Sequence, residues 1–214
     1  MMQKVVIVDV GSGNLFSVKN AIRTASPDVE VVVSRSIDVI QNADKLVLPG
    51  QGAMGSWLSG MNENGLMQPL LAATQHIPTL GICLGMQVMM DFSEEDGGIK
   101  GLGFFPGSVT RFHLSEPLGI HSMKIPHMGW NRVAQRVDHP LWFKIDDGKR
   151  FYFVHSYYVK ADLSHQSVGE TNYIEKFCSA IARDNLFAVQ FHPEKSQQQG
   201  LQLLRNFVNW DGTP

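Results

Sequence analysis

The sequence predicts an α/β fold: a central, mostly parallel sheet flanked by helices, with an added antiparallel part. Three observations carry this. Short β-branched runs alternate with helical periodicities up to about Phe92. Beyond Phe92 the strand candidates follow one another with little helix between them. No apolar run is long enough to span a membrane. Repeated strand–helix alternation implies parallel strands joined by right-handed crossovers, whereas strands without intervening helices imply antiparallel hairpins.

"KVVIVDV" (4–10) is short and β-branched, as expected of a strand buried on both faces. "GSGN" (11–14) is a turn, and "NLFSVKNAIRTA" (14–25) spaces Leu15, Val18, Ala21, Ile22 and Ala25 as one helical face. "VEVVVS" (29–34) reads as a second strand, "SIDVIQNA" (36–43) as a short helix and "KLVLPG" (45–50) as a third strand. Residues 57–76 read as a helix broken by glycines, 78–82 as a fourth strand, and "LGMQVMMDF" (84–92) as a helix packing Met86, Met89 and Met90 inward. A turn-rich stretch (94–108) follows. Further strands are predicted over 105–112, 130–134, 150–155, 166–172, 176–183 and 186–191, and an amphipathic helix over 197–210.

Residues 1–214 read as a single domain, with no repeat, linker or low-complexity segment. A net charge of −2, with Lys and Arg scattered, leaves no basic footprint for nucleic acid. The N-terminal apolar run is too short for a signal peptide. Cys83 and Cys178 are too few for a disulfide framework and lack metal-ligand spacing. No H-E-x-x-H or Cys/His cluster points to a catalytic metal, and no cofactor is implied. These features describe a reduced, cytoplasmic protein with no membrane partner.

"PTLGICLGMQVMM" (78–90) places Cys83 between Gly81 and Gly85, where a strand runs into a helix. An isolated cysteine is commonly a small buried hydrophobe. Flanking glycines at a strand–helix junction instead match the elbow that presents a nucleophile, because the turn is strained and backbone must approach closely. A helix start surrounds the sulfur with unpaired N–H groups, which favour a thiolate. The N–H of Leu84 is then placed to help hold an oxyanion. Cys178, in "EKFCSAIA", has no such setting and reads as packing.

A thiolate performing acyl transfer needs a histidine, and the chain has eight. His76, His139 and His165 read as surface residues; His113 and His121 flank an irregular stretch; His127 and His155 are structural or site-lining. His192 differs: "FAVQFHPEKS" ends a strand at Pro193 and leaves His192 at the edge where α/β sites assemble. Glu194, two residues on, can accept a hydrogen bond from the imidazole and fix its tautomer. "LVLPGQGAMG" (46–55) supplies a glycine-rich loop, either for a second oxyanion donor or for a phosphate. It lacks the spacing of a P-loop.

"GICLGMQ" (81–87), "LPGQG" (48–52) and "QFHPEKS" (190–196) together resemble the class I (triad) glutamine amidotransferases. "DVGSGNLFSV" (9–18), "PHMGWN" (126–131) and "FYFVHSY" (151–157) narrow the resemblance to glutaminase subunits of imidazole glycerol phosphate synthases. The resemblance runs from Val5 to about Phe207. It implies a flavodoxin-like fold with Cys83 as nucleophile, His192 as general acid/base and Glu194 as its orienting carboxylate. Gly52 with Leu84 would form the oxyanion hole, and Gln87 with the backbone around Ser156 and Tyr157 would hold glutamine. Because such a fold fills a chain of this length, the enzyme that uses the ammonia is expected to be a separate chain. By resemblance it is a (β/α)₈-barrel cyclase in a heterodimer, contacted through Asn14, Trp130, Tyr152 and Lys195. The resemblance also implies an oxyanion loop misaligned until the partner binds its ligand, hence low activity alone. Gln51 departs from the family's usual Val, with the glycines intact. Other readings are a paralogous glutaminase serving surface-sugar amidine formation, a stand-alone thiol hydrolase, and a catalytically silent binding protein.

Overall fold

The computed structural model describes residues 2–114 and 123–214; His121 lies outside them. Five strands form the parallel heart of the sheet: β1 (Lys4–Val8), β2 (Glu30–Ser34), β3 (Lys45–Gly50), β4 (Thr79–Cys83) and β14 (Leu186–Val189), in the order β2-β1-β3-β4-β14. Helices α1 (Leu15–Ala25), α2 (Ile37–Gln41), α3 (Met54–Glu63), α4 (Met67–Ala73) and α5 (Leu84–Val88) fill the crossovers. The sheet continues through β13 (Lys176–Arg183), β11 (Tyr157–Ala161), β7 (Phe105–Arg111), β5 (Met90–Ser93) and β6 (Ile99–Lys100). β12 (Ser167–Asn172) pairs with β13 and with β9 (Ala134–Gln135). β8 (His127–Arg132) and β10 (Arg150–His155) form a separate antiparallel ribbon, and α6 (Gln197–Asn209) closes the chain.

Alternation along the buried strands divides the core in two. Val5, Ile7, Val47, Leu80 and Ile82 face α1 and α6, while Val6, Val8, Leu46 and Leu48 face α3, α4 and α5. Each face is therefore covered, as a parallel sheet requires. Both cysteines are free and buried. No described helix is long and apolar enough to cross a membrane.

The structure corrects the sequence reading in three places. The helix expected over 84–92 stops at Val88, and Met90 starts a strand because it pairs with Phe105 of β7. The three methionines are nonetheless buried. The glycine break expected within 57–76 is observed, since two helices are divided at Gly65, whose φ is +64°. A strand absent from the reading, β11, lies between β7 and β13. His139, taken as a surface residue, is buried against Phe187 and Trp210, and its Nδ1 accepts from Leu141 N at 3.1 Å.

Burial lowers His139 and His127 to about 4 and, aided by neighbouring imidazoles, His155 to about 3. Each is neutral in the fold but protonates near 6.5 once unfolded. Their contribution to stability is thus complete above about pH 6.5 and is lost as pH falls toward 4. Thermal unfolding followed from pH 7 to pH 4 should show a falling midpoint. His139→Asn keeps an acceptor for Leu141 and removes one titrating group, so its fall should be shallower. An identical pH slope in that variant would contradict this account.

Candidate active site

The carboxyl ends of β3, β4 and β14 converge on one edge of the sheet, where open α/β sheets place their sites. β4 ends on Cys83, held at φ +55°, ψ −107°, with α5 starting at the next residue. A non-glycine residue in this region costs about 1–3 kcal/mol, a strain found where a side chain must be presented at a fixed angle. The elbow is tight: a Cβ on Gly85 would stand 1.7 Å from Leu48 O, and one on Gly81 2.9 Å from the Ala188 Cβ. The sequence reading of these glycines as close-approach positions is met.

The strand β14 and the turn after it deliver His192, only 2% exposed. Three bonds fix that turn to β10: His192 N donates to Tyr152 O (2.9 Å), Tyr152 N donates to Ser196 Oγ (3.0 Å), and Ser196 Oγ donates to His192 O (2.6 Å). His192 Nδ1 lies 2.7 Å from Glu194 Oε1, with both side chains out of water. A carboxylate oxygen accepts, so Nδ1 carries the proton and Nε2 is left to take one. Nε2 is buried without a hydrogen bond of its own. Burial disfavours the imidazolium, but the adjacent Cys83 sulfur and the Glu194 carboxylate outweigh it and raise His192 to about 10. Cys83 and His192 are thus an interacting pair. Such contacts commonly tighten only when substrate binds.

A cleft of ≈ 450 Å³ opens over these groups. Gly52, Cys83, Leu84, Gln87, Ser156, Tyr157, His192 and Lys195 all line it, together with Glu95 and His155. Gly52 sits at φ +88°, a conformation that β-carbon-bearing residues rarely adopt. Gln87 is buried, and its Nε2 donates to Tyr157 O (3.0 Å) and Gln190 Oε1 (2.9 Å). Both its N–H bonds are spent inside the protein, so its carbonyl oxygen is what it can offer a ligand.

The four remaining residues singled out from the sequence lie nearby on the surface. Asn14 caps α1, its Oδ1 accepting from Ser17 N at 3.2 Å. Trp130 is 39% exposed, so it is not a core aromatic, and it meets Tyr152 edge-on at 6.1 Å. Lys195 Nζ stands 5.9 Å from the Tyr152 ring centroid, giving a cation–aromatic–aromatic row. Sequence reasoning missed Gln190, which is fully buried and whose Nε2 reaches Cys83 Sγ at 3.6 Å. A lone amide between Val189 and Phe191 at a strand end was the available signal. Cys178, read as packing, is buried beside Ala180 O, away from this cleft.

Glu194→Gln tests the geometry. Without a carboxylate to fix the Nδ1–H tautomer, turnover should drop by about 10²–10⁴-fold with binding less affected. Steady-state kinetics would check it, and a near-normal rate would remove Glu194 from the site.

The family model for glutamine amidotransferase class-I matches residues 6–210. The imidazole glycerol phosphate synthase subunit HisH of Nitrosomonas europaea is 45% identical over 211 residues, covering 98% of this chain and 99% of that protein. The subunit HisH of Thiobacillus denitrificans is 47% identical over 214 residues, covering 99% of this chain and 93% of that protein. Among solved structures, a glutamine amidotransferase superposes with a TM-score of 0.71 at 14% identity, covering 97% of this chain and 99% of that one. A chain of PurLQS from Thermotoga maritima superposes at 0.70 and 14% identity, covering 98% of this chain and 99% of that one. The chain belongs to the class I glutamine amidotransferase family.

Proposed function

We propose that this chain is the glutaminase component of an imidazole glycerol phosphate synthase, acting in the cytoplasm as one amidotransferase unit in histidine biosynthesis. The observation that carries the reading is the buried His192–Glu194 pair set beside Cys83 on a strained elbow, in a chain 45% identical to such a component over nearly its whole length.

The Cys83 thiolate attacks the side-chain carbonyl carbon of glutamine and forms a C–S bond. The oxyanion is held by the N–H groups of Leu84 and Gly52. His192 Nε2 gives its proton to the amide nitrogen, the C–N bond breaks and ammonia leaves. His192 then takes a proton from water, which attacks the glutamyl thioester. The C–S bond breaks, releasing glutamate and restoring the thiolate. Gln87 and the Ser156–Tyr157 backbone hold the substrate glutamine.

Ammonia passes to a partner, a (β/α)₈-barrel cyclase that joins it to a phosphoribulosyl aminoimidazole-carboxamide nucleotide. The surface row of Lys195, Tyr152 and Trp130, with Asn14, forms the docking face. Lys195 belongs both to this row and to the cleft, which gives partner binding a direct route to the reacting groups. Glutamine hydrolysis by the isolated chain should therefore be far slower than in the complex with its nucleotide. The test is a glutamine-dependent assay of this chain alone, with the cyclase, and with the cyclase plus nucleotide. Full turnover by the chain alone would mark a stand-alone hydrolase, and no turnover in the complete mixture would sink the proposal.

A further inference from the structure

We propose that Gln190 is a further catalytic residue of this site, donating a hydrogen bond to the Cys83 sulfur in a direction set by the Tyr157 carbonyl acting through Gln87. This deepens the glutaminase reading and rests on it.

Two buried histidines converge on the Tyr157 carbonyl, and their tautomers follow from both ends of a bonded chain. Asn131 Oδ1 accepts from Arg132 N at 2.8 Å, so its other terminal atom is the amide nitrogen. That nitrogen donates to Asn172 O (2.8 Å) and to His127 Nε2 (3.2 Å). His127 Nε2 must then accept, which leaves its proton on Nδ1. His127 Nδ1 lies 2.9 Å from His155 Nε2, so the latter accepts and the His155 proton is also on Nδ1. His155 Nδ1 lies 2.7 Å from Tyr157 O, a carbonyl that can only accept. The two ends thus demand the same tautomers. Burial keeps both rings neutral, His155 at about 3 and His127 at about 4, so neither takes a second proton near neutral pH.

Tyr157 O is a shared terminus, since it also accepts from Gln87 Nε2. The same nitrogen donates to Gln190, so Gln190 presents its oxygen to Gln87 and its nitrogen to Cys83. No other polarity satisfies Tyr157 O, Gln87 and Gln190 together. Cys83 consequently receives a hydrogen bond, which strengthens as negative charge gathers on its acceptor. Gln87 acts through Gln190 and is a positioning residue. The chain links the β8–β10 ribbon, which carries Trp130 and Tyr152, to the nucleophile.

The test uses the full chain. Gln190→Glu keeps the shape and the acceptor for Gln87 while replacing the donor with a carboxyl group. Alkylation of Cys83 by iodoacetamide is followed against pH; Cys178 does not compete, since burial pushes its thiol up to about 12. The other titratable groups around the sulfur (His192 with Glu194, and Glu95, His155 and Lys195 in the cleft) are the same in both proteins. The variant's profile should move up by about one pH unit or more, and kcat for glutamine should fall about tenfold with KM changed less. An unchanged alkylation profile overturns the proposal. Should that variant fail to fold, Gln190→Met, which removes the donor without adding a charge, is followed in the same way and should also move the profile up, an unmoved profile there overturning the proposal. Alkylation is read without glutamine, so absent turnover by the unmodified complex would count against the glutaminase reading alone.

Discussion

Replacing Cys83 with Ala should lower glutamine-dependent synthesis by the assembled complex about 10⁴-fold or more while leaving ammonia-dependent synthesis intact. Among the described residues lining the cleft, the substitution removes the only sulfur and little else, since alanine occupies the same Cβ position. Nothing remains that can form the acyl intermediate, and His192 loses the partner whose charge holds it protonated. Assays supplied in turn with glutamine and with ammonium salt separate the two outcomes. Retained glutamine use would show that Cys83 is not the nucleophile. Loss of both activities would assign the residue a structural role at the elbow.

The largest effect on stability is expected at Gly85. A Cβ there would stand 1.7 Å from Leu48 O and 2.9 Å from its carbonyl carbon, both backbone atoms of β3 in the middle of the parallel sheet. Backbone bonded on both sides cannot retreat as a flexible side chain would, so either β3 or α5 must move. Gly85→Ala should cost more than about 4 kcal/mol, the range reached only by severe steric or buried-polar defects. Urea unfolding, or soluble yield where the variant does not accumulate, would measure it. A midpoint within experimental error of the parent would show that the elbow has slack.

Much of the site was legible because its chemistry is written locally. Gly81, Cys83 and Gly85 lie within one strand–helix junction, and their spacing reflects sterics that operate over five residues. His192 and Glu194 are two apart, and Pro193 between them ends the strand that delivers them. Trp130 and Tyr152 were harder, because the same residues serve a core or a surface. Only their exposure and mutual packing separate those cases. His139 went the wrong way for a related reason: a loop-like sequence context does not say whether Phe187 and Trp210 will close over it.

The strand reading failed where pairing, not propensity, decides. Met86, Met89 and Met90 suit a helical face, yet Met90 leaves the helix to pair with β7, some fifteen residues on. β10 and β11 are separated by Ser156 alone, but one joins the small ribbon and the other the main sheet. Residue order was enough for the alternating architecture, the elbow and the histidine–carboxylate pair, because each follows from periodicity or close-range sterics. How Asn131, His127, His155, Gln87 and Gln190 connect to Cys83 emerges only from long-range packing. Those residues lie on four separate strands or helices and one strand end, and the direction of a hydrogen bond between two side chains is set by every other partner each one has.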